Sequence, residues 1–321
     1  MALNYAAIDA LTRKKYIPQL VDNIFKTNPF MVYLKDRQKT YDGGTKIVQP
    51  LIYDELGGIN SYSGYDQMAY DTDIPITAAE FEPKHIVAPF IISKTEELNN
   101  QGESQVLDLV ESKMKILEAS LKKEFTSQLY ADGTGNNSKD LTGLSALFSA
   151  TNTYGGISRS DYSWWQPVLN GNSGTNRTLT EKLLMDTYVD ASDGEDTPDI
   201  ILTGKEGWKQ YYLLVKGRIT IYTESVKKML GLGFQTLEFM GKPVVMDRNI
   251  DETSGVTYKF LNMDYLNLRP HKAANMTPTK FRPDDSRLAM KKEIIWTGNL
   301  TCSNCRRQAE LQDINPTGIT S

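Results

Sequence analysis

The sequence predicts an α+β protein. Three observations carry this. Alternating strand character over residues 47–93 is broken by a polar tip. A single apolar stripe runs the length of 104–131. A middle region then alternates short helix and strand patterns before a final strand returns. At 321 residues the chain is long enough for two or three compact units or one extended one.

Residues 2–36 read as an arm with one or two short helices. Ile17, Leu20, Val21, Ile24 and Phe25 recur at helical spacing, and Pro29 ends the pattern at Asn28. Asp42-Gly43-Gly44 marks a turn. Over Lys46–Tyr53, Ile47, Gln49, Leu51 and Tyr53 alternate against Val48 and Ile52. The tip runs from about Glu55 to Asp73. The return, Ile74–Ser93, carries Pro75, Pro83 and Pro89, which predicts an edge strand that joins a sheet near Ile86–Ser93. Between Lys46 and Lys84 there is no Lys or Arg, but there are seven acids: Asp54, Glu55, Asp66, Asp71, Asp73, Glu80 and Glu82. A long two-stranded projection with no core of its own is marginal in water. It calls for cover, and a neighbouring copy of the same chain is the natural source.

Ser104–Ala131 predicts a helix of roughly 42 Å. Its stripe is Leu107, Val110, Met114, Leu117, Leu121, Phe125 and Leu129, with Glu103 and Asp108 near the start and Asp132-Gly133 at the stop. Asn136–Asn176 is a Gly-, Ser-, Asn- and Thr-rich loop with aromatic residues at Tyr162, Trp164 and Trp165. Thr178-Leu-Thr-Glu181 reads as a capping box that opens a helix through Val189. Asp199–Leu202 reads as a buried strand and Gly204–Val215 as a helix. Lys242–Met246 and Tyr258–Leu268 read as two more strands. Arg287–Thr297 returns to alternation, and Thr301–Ile314 reads as loop or strand.

Composition narrows function. The net charge is −4, with no basic footprint for sequence-specific nucleic-acid binding. Two cysteines give no disulfide framework. No signal-peptide run and no apolar stretch of membrane-spanning length is visible. Catalytic signatures fail. Gly133–Lys139 lacks the second glycine of a phosphate loop, and Gly241-Lys242 runs into Pro243. Gly231-Leu-Gly233 lacks the third glycine of a dinucleotide fingerprint, and Gly143–Leu147 lacks the closing glycine of a nucleophile elbow. His85 and His271, the only histidines, read as structural. Cys302-Ser-Asn-Cys305 has no second ligand pair for zinc and no helix start for redox chemistry. Asp190, Asp193, Glu195 and Asp196 read as a solvated loop. The expectation is a non-enzyme with no catalytic residue, no cofactor and no metal.

The order of parts resembles the major capsid proteins of tailed bacteriophages, the Hong Kong 97-like fold family. Thr77–Ser93 followed by Glu96-Glu97-Leu98 resembles the return from that family's extended loop into its peripheral domain and spine helix. Asp199–Gly204 with Trp208 and Tyr211, then Phe239–Asp247 and Tyr258–Leu266, resemble its axial domain. The resemblance implies an N-terminal arm (1–45), an extended loop (46–85), a peripheral domain (86–140 and 271–321, spine 104–131) and an axial domain (141–270). It implies a shell subunit of a phage head, forming hexamers and pentamers around double-stranded DNA. Portal, scaffolding and decoration proteins are the implied partners, and the implied location is the virion, assembled in the host bacterial cytoplasm without a membrane.

On that reading the loop acids Asp54, Glu55, Asp66, Asp71 and Asp73 face a basic surface of a neighbour. The candidates are Lys113, Lys115, Lys122 and Lys123 on the spine, and Arg282, Arg287, Lys291 and Lys292 in the tail. Family members that weld this loop to a neighbour use a lysine, and the stretch between Ile47 and Pro83 has none. Two alternatives share parts of the evidence: an encapsulin-like cargo shell, and a redox or zinc protein using Cys302 and Cys305.

Overall fold

The computed structural model describes residues 28–55, 59, 61–67, 75–99, 103–216 and 236–316, with backbone only for 103–108. Helix α1 is Pro29–Asp36. The Asn28 side chain accepts a hydrogen bond from the Phe30 N–H (2.8 Å), and Pro29 sits in the first turn, where its missing N–H is no loss. The sequence reading stopped a helix at this proline; the structure starts one there. The earlier part of the arm lies outside the described residues.

Strands β1 (Ile47–Ile52) and β2 (Ile76–Phe81) form an antiparallel hairpin that joins no other sheet. Strand β3 (Lys84–Ser93) follows, then the short helix α2 (Lys94–Asn99) and the spine helix α3 (Glu103–Tyr130). The spine buries Val110, Met114, Leu117, Leu121, Phe125 and Leu129, as the stripe predicted; the Leu107 side chain lies outside the described residues. Its end is closed by the chain turning back at Gly143. A Cβ there would meet the carbonyl oxygens of Gln128, Leu129 and Ala131 at 2.4–2.6 Å, so only glycine fits.

Beyond the loop region come β4 (Val168–Asn170), α4 (Glu181–Ala191), β5 (Ile200–Thr203), α5 (Lys205–Val215), β6 (Thr236–Phe239) and β7 (Lys242–Met246). The remainder is β8 (Val256–Leu261), β9 (Leu266–Pro270), β10 (Ala289–Cys302) and β11 (Ala309–Ile314). Thr180, not Thr178, caps α4: its side chain accepts from the Leu183 N–H at 3.3 Å. Thr180→Ala is expected to lower stability by about 0.5–2 kcal/mol, read as a lower urea midpoint at unchanged slope.

Six strands form one sheet in the order β4-β11-β8-β5-β7-β6. All four residues of β5 are buried because both faces of the sheet are covered. Ile201, Val244, Tyr258, Phe260 and Leu311 pack with Leu184 and Tyr188 of α4 and Tyr211 of α5. Ile200, Leu202, Val245 and Leu261 belong instead to the main core, which continues through the spine.

The second sheet centres on the 14-residue β10, paired over 289–298 with β3 and, on the other side, with β9 and the short segments Thr277–Pro278 and Arg282–Pro283. Trp296 of β10 meets Phe125 of the spine edge-on at 5.0 Å. Two sequence readings need correction. The single strand read over Tyr258–Leu268 is two strands in different sheets, turned by residues 262–265. And Ala309–Ile314, placed by sequence with the peripheral part, pairs with β8 and β4 in the six-stranded sheet.

Candidate assembly surface

In the hairpin, cross-strand partners share a face. Ile47 lies opposite Phe81 and Gln49 opposite Ala79; Ile47, Leu51, Ala79 and Phe81 are buried. This inner face rests on the chain's own body. The Glu80 N–H donates to the Gly155 carbonyl (2.8 Å), and Phe81 meets Tyr154 edge-on at 5.2 Å. Tyr53 stacks on Trp164 at 5.4 Å, and Arg269 donates to Gln49. Gly155, at φ +58°, lets the loop approach the Ala79 and Phe81 side chains. The hairpin therefore has support that the sequence reading did not see. The residues supplying it, Tyr154, Gly155 and Trp164, are more than seventy positions away from β2.

The outer face is different. Val48, Ile52 and Ile76 are 55%, 80% and 60% exposed, and Ile52 sits directly opposite Ile76. Pro50 and Ala78 lie between them, also exposed. Ile59, Tyr62 and Tyr65, farther along the chain, are exposed as well. A second apolar strip lies beside the spine. A groove of about 590 Å³ between β3 and α3 is lined by Val87, Ile91 and Ile116, all exposed, with Lys113 and Glu124 at its rim.

The acids divide. Asp54 and Glu55 are exposed; the Asp54 carboxylate accepts the Glu55 N–H (2.9 Å). Asp66 is exposed and accepts the Ser63 N–H (2.9 Å), closing a tip turn. Asp71 and Asp73 lie outside the described residues. Glu80 is paired with Lys46 at 2.5 Å, and that hydrogen bond holds the ammonium above its ordinary pKa. Glu82 pairs with Lys84 at 3.3 Å.

Most of the candidate basic partners are already engaged within the chain. Lys113 pairs with Glu96 (2.7 Å), Lys115 with Glu111 (3.0 Å) and Lys122 with Glu118 (3.1 Å). Arg282 holds Glu293 through both carboxylate oxygens (2.8 and 2.9 Å), and Lys291 faces Asp284 at 3.7 Å. Lys292 is 2% exposed, its ammonium 4.8 Å from the Phe281 ring centre. Lys123 and Arg287 are exposed and form no ion pair among the described residues. An i,i+4 acid on the helix was the missed signal for Lys115 and Lys122.

Several of the remaining sequence candidates have structural partners. Asp196 accepts from the Tyr265 hydroxyl (2.5 Å), which pushes the phenol up to about 12, and Asp193 pairs with Arg307. His85 Nδ1 meets Thr297 Oγ1 at 2.9 Å, and His271 Nδ1 accepts the Ala273 N–H at 3.1 Å. Trp165 is buried and donates to the Tyr154 carbonyl (2.9 Å). Cys302 ends β10 and Cys305 lies in the following 3-10 turn, both fully buried. Among the described residues no group of three or more His, Cys, Asp or Glu side chains could hold a metal, and no helix is long and apolar enough to cross a membrane.

Comparison with known proteins bears on what these surfaces are for. No curated protein sequence matches the chain. Among solved structures, the cyanophage A-1(L) capsid asymmetric unit superposes with a TM-score of 0.63 at 17% identity, over 89% of this chain and 92% of that one. The capsid of a native GTA particle gives 0.57 at 10% identity, over 88% and 90%. The holo-SrpI encapsulin complex of Synechococcus elongatus PCC 7942 gives 0.52 at 11% identity, over 100% and 99%. These likenesses show a shared fold, the Hong Kong 97-like fold anticipated from the order of parts. The model of the SU10 major capsid protein family matches residues 86–304, from within β3 through the spine to just past the end of β10. With two thirds of its length matched, the chain belongs to the SU10 major capsid protein family.

Proposed function

We propose that this major capsid subunit assembles into hexamers and pentamers of an icosahedral or prolate phage head that encloses double-stranded DNA. The observation that carries the reading is the outer face of the hairpin: an apolar strip left open on a projection whose other face is already packed. Exposed apolar surface of this kind marks an interaction site. In the proposed assembly the hairpin (46–85) lies across a neighbouring subunit, the N-terminal arm reaches adjacent copies, and residues 141–270 pack around the symmetry axes. Portal and scaffolding proteins, and in some heads decoration proteins, are the further partners. Assembly takes place in the host bacterial cytoplasm.

Electron microscopy of the purified protein tests this: closed shells with six- and five-fold vertices support it, and a uniform monomer at all concentrations overturns it. The tip acids supply orientation rather than strength, since exposed ion pairs contribute below about 1 kcal/mol each. Their effect multiplies around a ring of subunits. Replacing Asp66, Asp71 and Asp73 by lysine is expected to leave the subunit folded and to block shell formation. Normal shells from that variant would show that charge pairing at the tip is dispensable. Lys123 and Arg287 are the most available cations for such pairing.

The encapsulin likeness supports a second reading, a shell around protein cargo. Packaged enzyme in place of nucleic acid inside purified particles would decide for it. A redox or zinc role for Cys302 and Cys305 finds no support in their burial, and bound zinc in purified protein would revive it.

A further inference from the structure

Arg159 lies in the loop region between the spine and the six-stranded sheet, with no exposed surface. Its Nε donates to the Trp165 carbonyl (3.1 Å). Its Nη1 donates to the carbonyls of Ala146 (3.0 Å) and Ser149 (2.9 Å) and to Asn152 Oδ1 (3.0 Å). Its Nη2 donates to the Cys305 sulfur at 3.2 Å. Among the described residues no carboxylate pairs with it. A guanidinium does not shed its proton, and a buried charge without a counter-charge is heavily penalised. Every oxygen around Arg159 is neutral. The Cys305 sulfur is the one acceptor in that shell able to carry a negative charge.

We propose that Cys305 is a thiolate in the folded protein and serves as the counter-ion of buried Arg159. The titratable groups facing this centre are Cys302, Tyr154 and Arg159, whose Cζ stands 4.7 Å from the Tyr154 ring centre. Burial pushes the Cys302 thiol and the Tyr154 phenol well above their ordinary values, so both stay neutral. Burial pushes Cys305 the same way, but the hydrogen bond from Cys302 and the Arg159 charge outweigh it and bring the thiol below its ordinary value. The pair has a structural consequence. One guanidinium gathers four backbone and side-chain oxygens from residues 146–165, and the thiolate ties that bundle to the turn after β10. The same loop carries Gly155 and Trp164, on which the hairpin rests.

Raman spectroscopy of the unmodified full-length protein tests the charge state directly. At neutral pH the sulfhydryl-stretch intensity is expected to equal one thiol, and to double on acid unfolding. Two thiols in the native protein would overturn the proposal. C302S, which keeps a donor, is expected to retain the thiolate absorption band in the ultraviolet, and C305S to lose it. Stability gives a second readout with a defined sign. A thiol held below its ordinary value binds its proton more weakly folded than unfolded. The folding equilibrium constant of the wild type therefore gains up to about tenfold per pH unit over C305S between the folded and the ordinary thiol pKa. That gain is lost as pH falls through the folded value. Parallel pH profiles for wild type and C305S would also overturn the proposal.

Discussion

Replacing Ile52 by lysine and Ile76 by glutamate is expected to abolish shell formation and leave the isolated subunit as stable as before. Both side chains are mostly exposed in the single chain, so their loss removes little from the subunit's own core. They face each other across the hairpin, and a Lys–Glu pair there keeps an attractive cross-strand contact. What disappears is apolar area for a neighbour to cover. Full burial of one isoleucine is worth about 1.5–3 kcal/mol, and each subunit in a shell would lose two. The inner face gives the contrast. Phe81→Ala opens a cavity against Tyr154 and is expected to cost the subunit itself about 3–5 kcal/mol. Thermal unfolding of the unassembled subunit and electron microscopy of assembly reactions separate the two. Shells at wild-type yield from the Ile52/Ile76 variant would mean that the outer face is solvent-facing in the head.

The hairpin also shows what the sequence could and could not convey. Alternation from Ile47 to Ile52 announced a strand. But both registers of β1 are apolar, so periodicity could not say which face is covered. That was decided by Tyr154, Gly155 and Trp164, in a loop whose composition reads only as polar and glycine-rich. The spine was legible almost residue for residue, because one stripe with a period near 3.6 has one interpretation. Pro29 was misread because a proline that ends one pattern is equally suited to open the next helix. The membership of β11 in the six-stranded sheet was invisible for a different reason: its partners Val168–Asn170 and Val256–Leu261 are distant in sequence, and pairing is a property of topology. The basic residues are individually visible in the sequence, and so are the i,i+4 acids Glu111 and Glu118, but the pairing of Lys113 with Glu96 and of Arg282 with Glu293 is set by the fold.

Lys259 and Glu310 carry the second large prediction. They are directly opposed on β8 and β11, nearly fully buried, and joined by an ion pair, with the Lys259 ammonium 4.8 Å from the Phe148 ring centre. Lys259→Met leaves the Glu310 carboxylate buried with Gln312 as its remaining hydrogen-bond donor among the described residues. Breaking one side of such a pair is expected to cost about 3–5 kcal/mol, because the surviving charge keeps its desolvation penalty and loses its compensation. Lys259→Met combined with Glu310→Leu removes both charges and should restore most of that loss, since a well-packed apolar pair replaces a buried ion pair at little net cost. Urea unfolding of the four members of the cycle measures the coupling. A single-variant loss below about 1 kcal/mol would show that the pair contributes little to the stability of the sheet. Because β11 is held between β8 and β4, the single variant should loosen the C-terminal strand first, seen as early amide exchange at 309–314 while the spine stays protected.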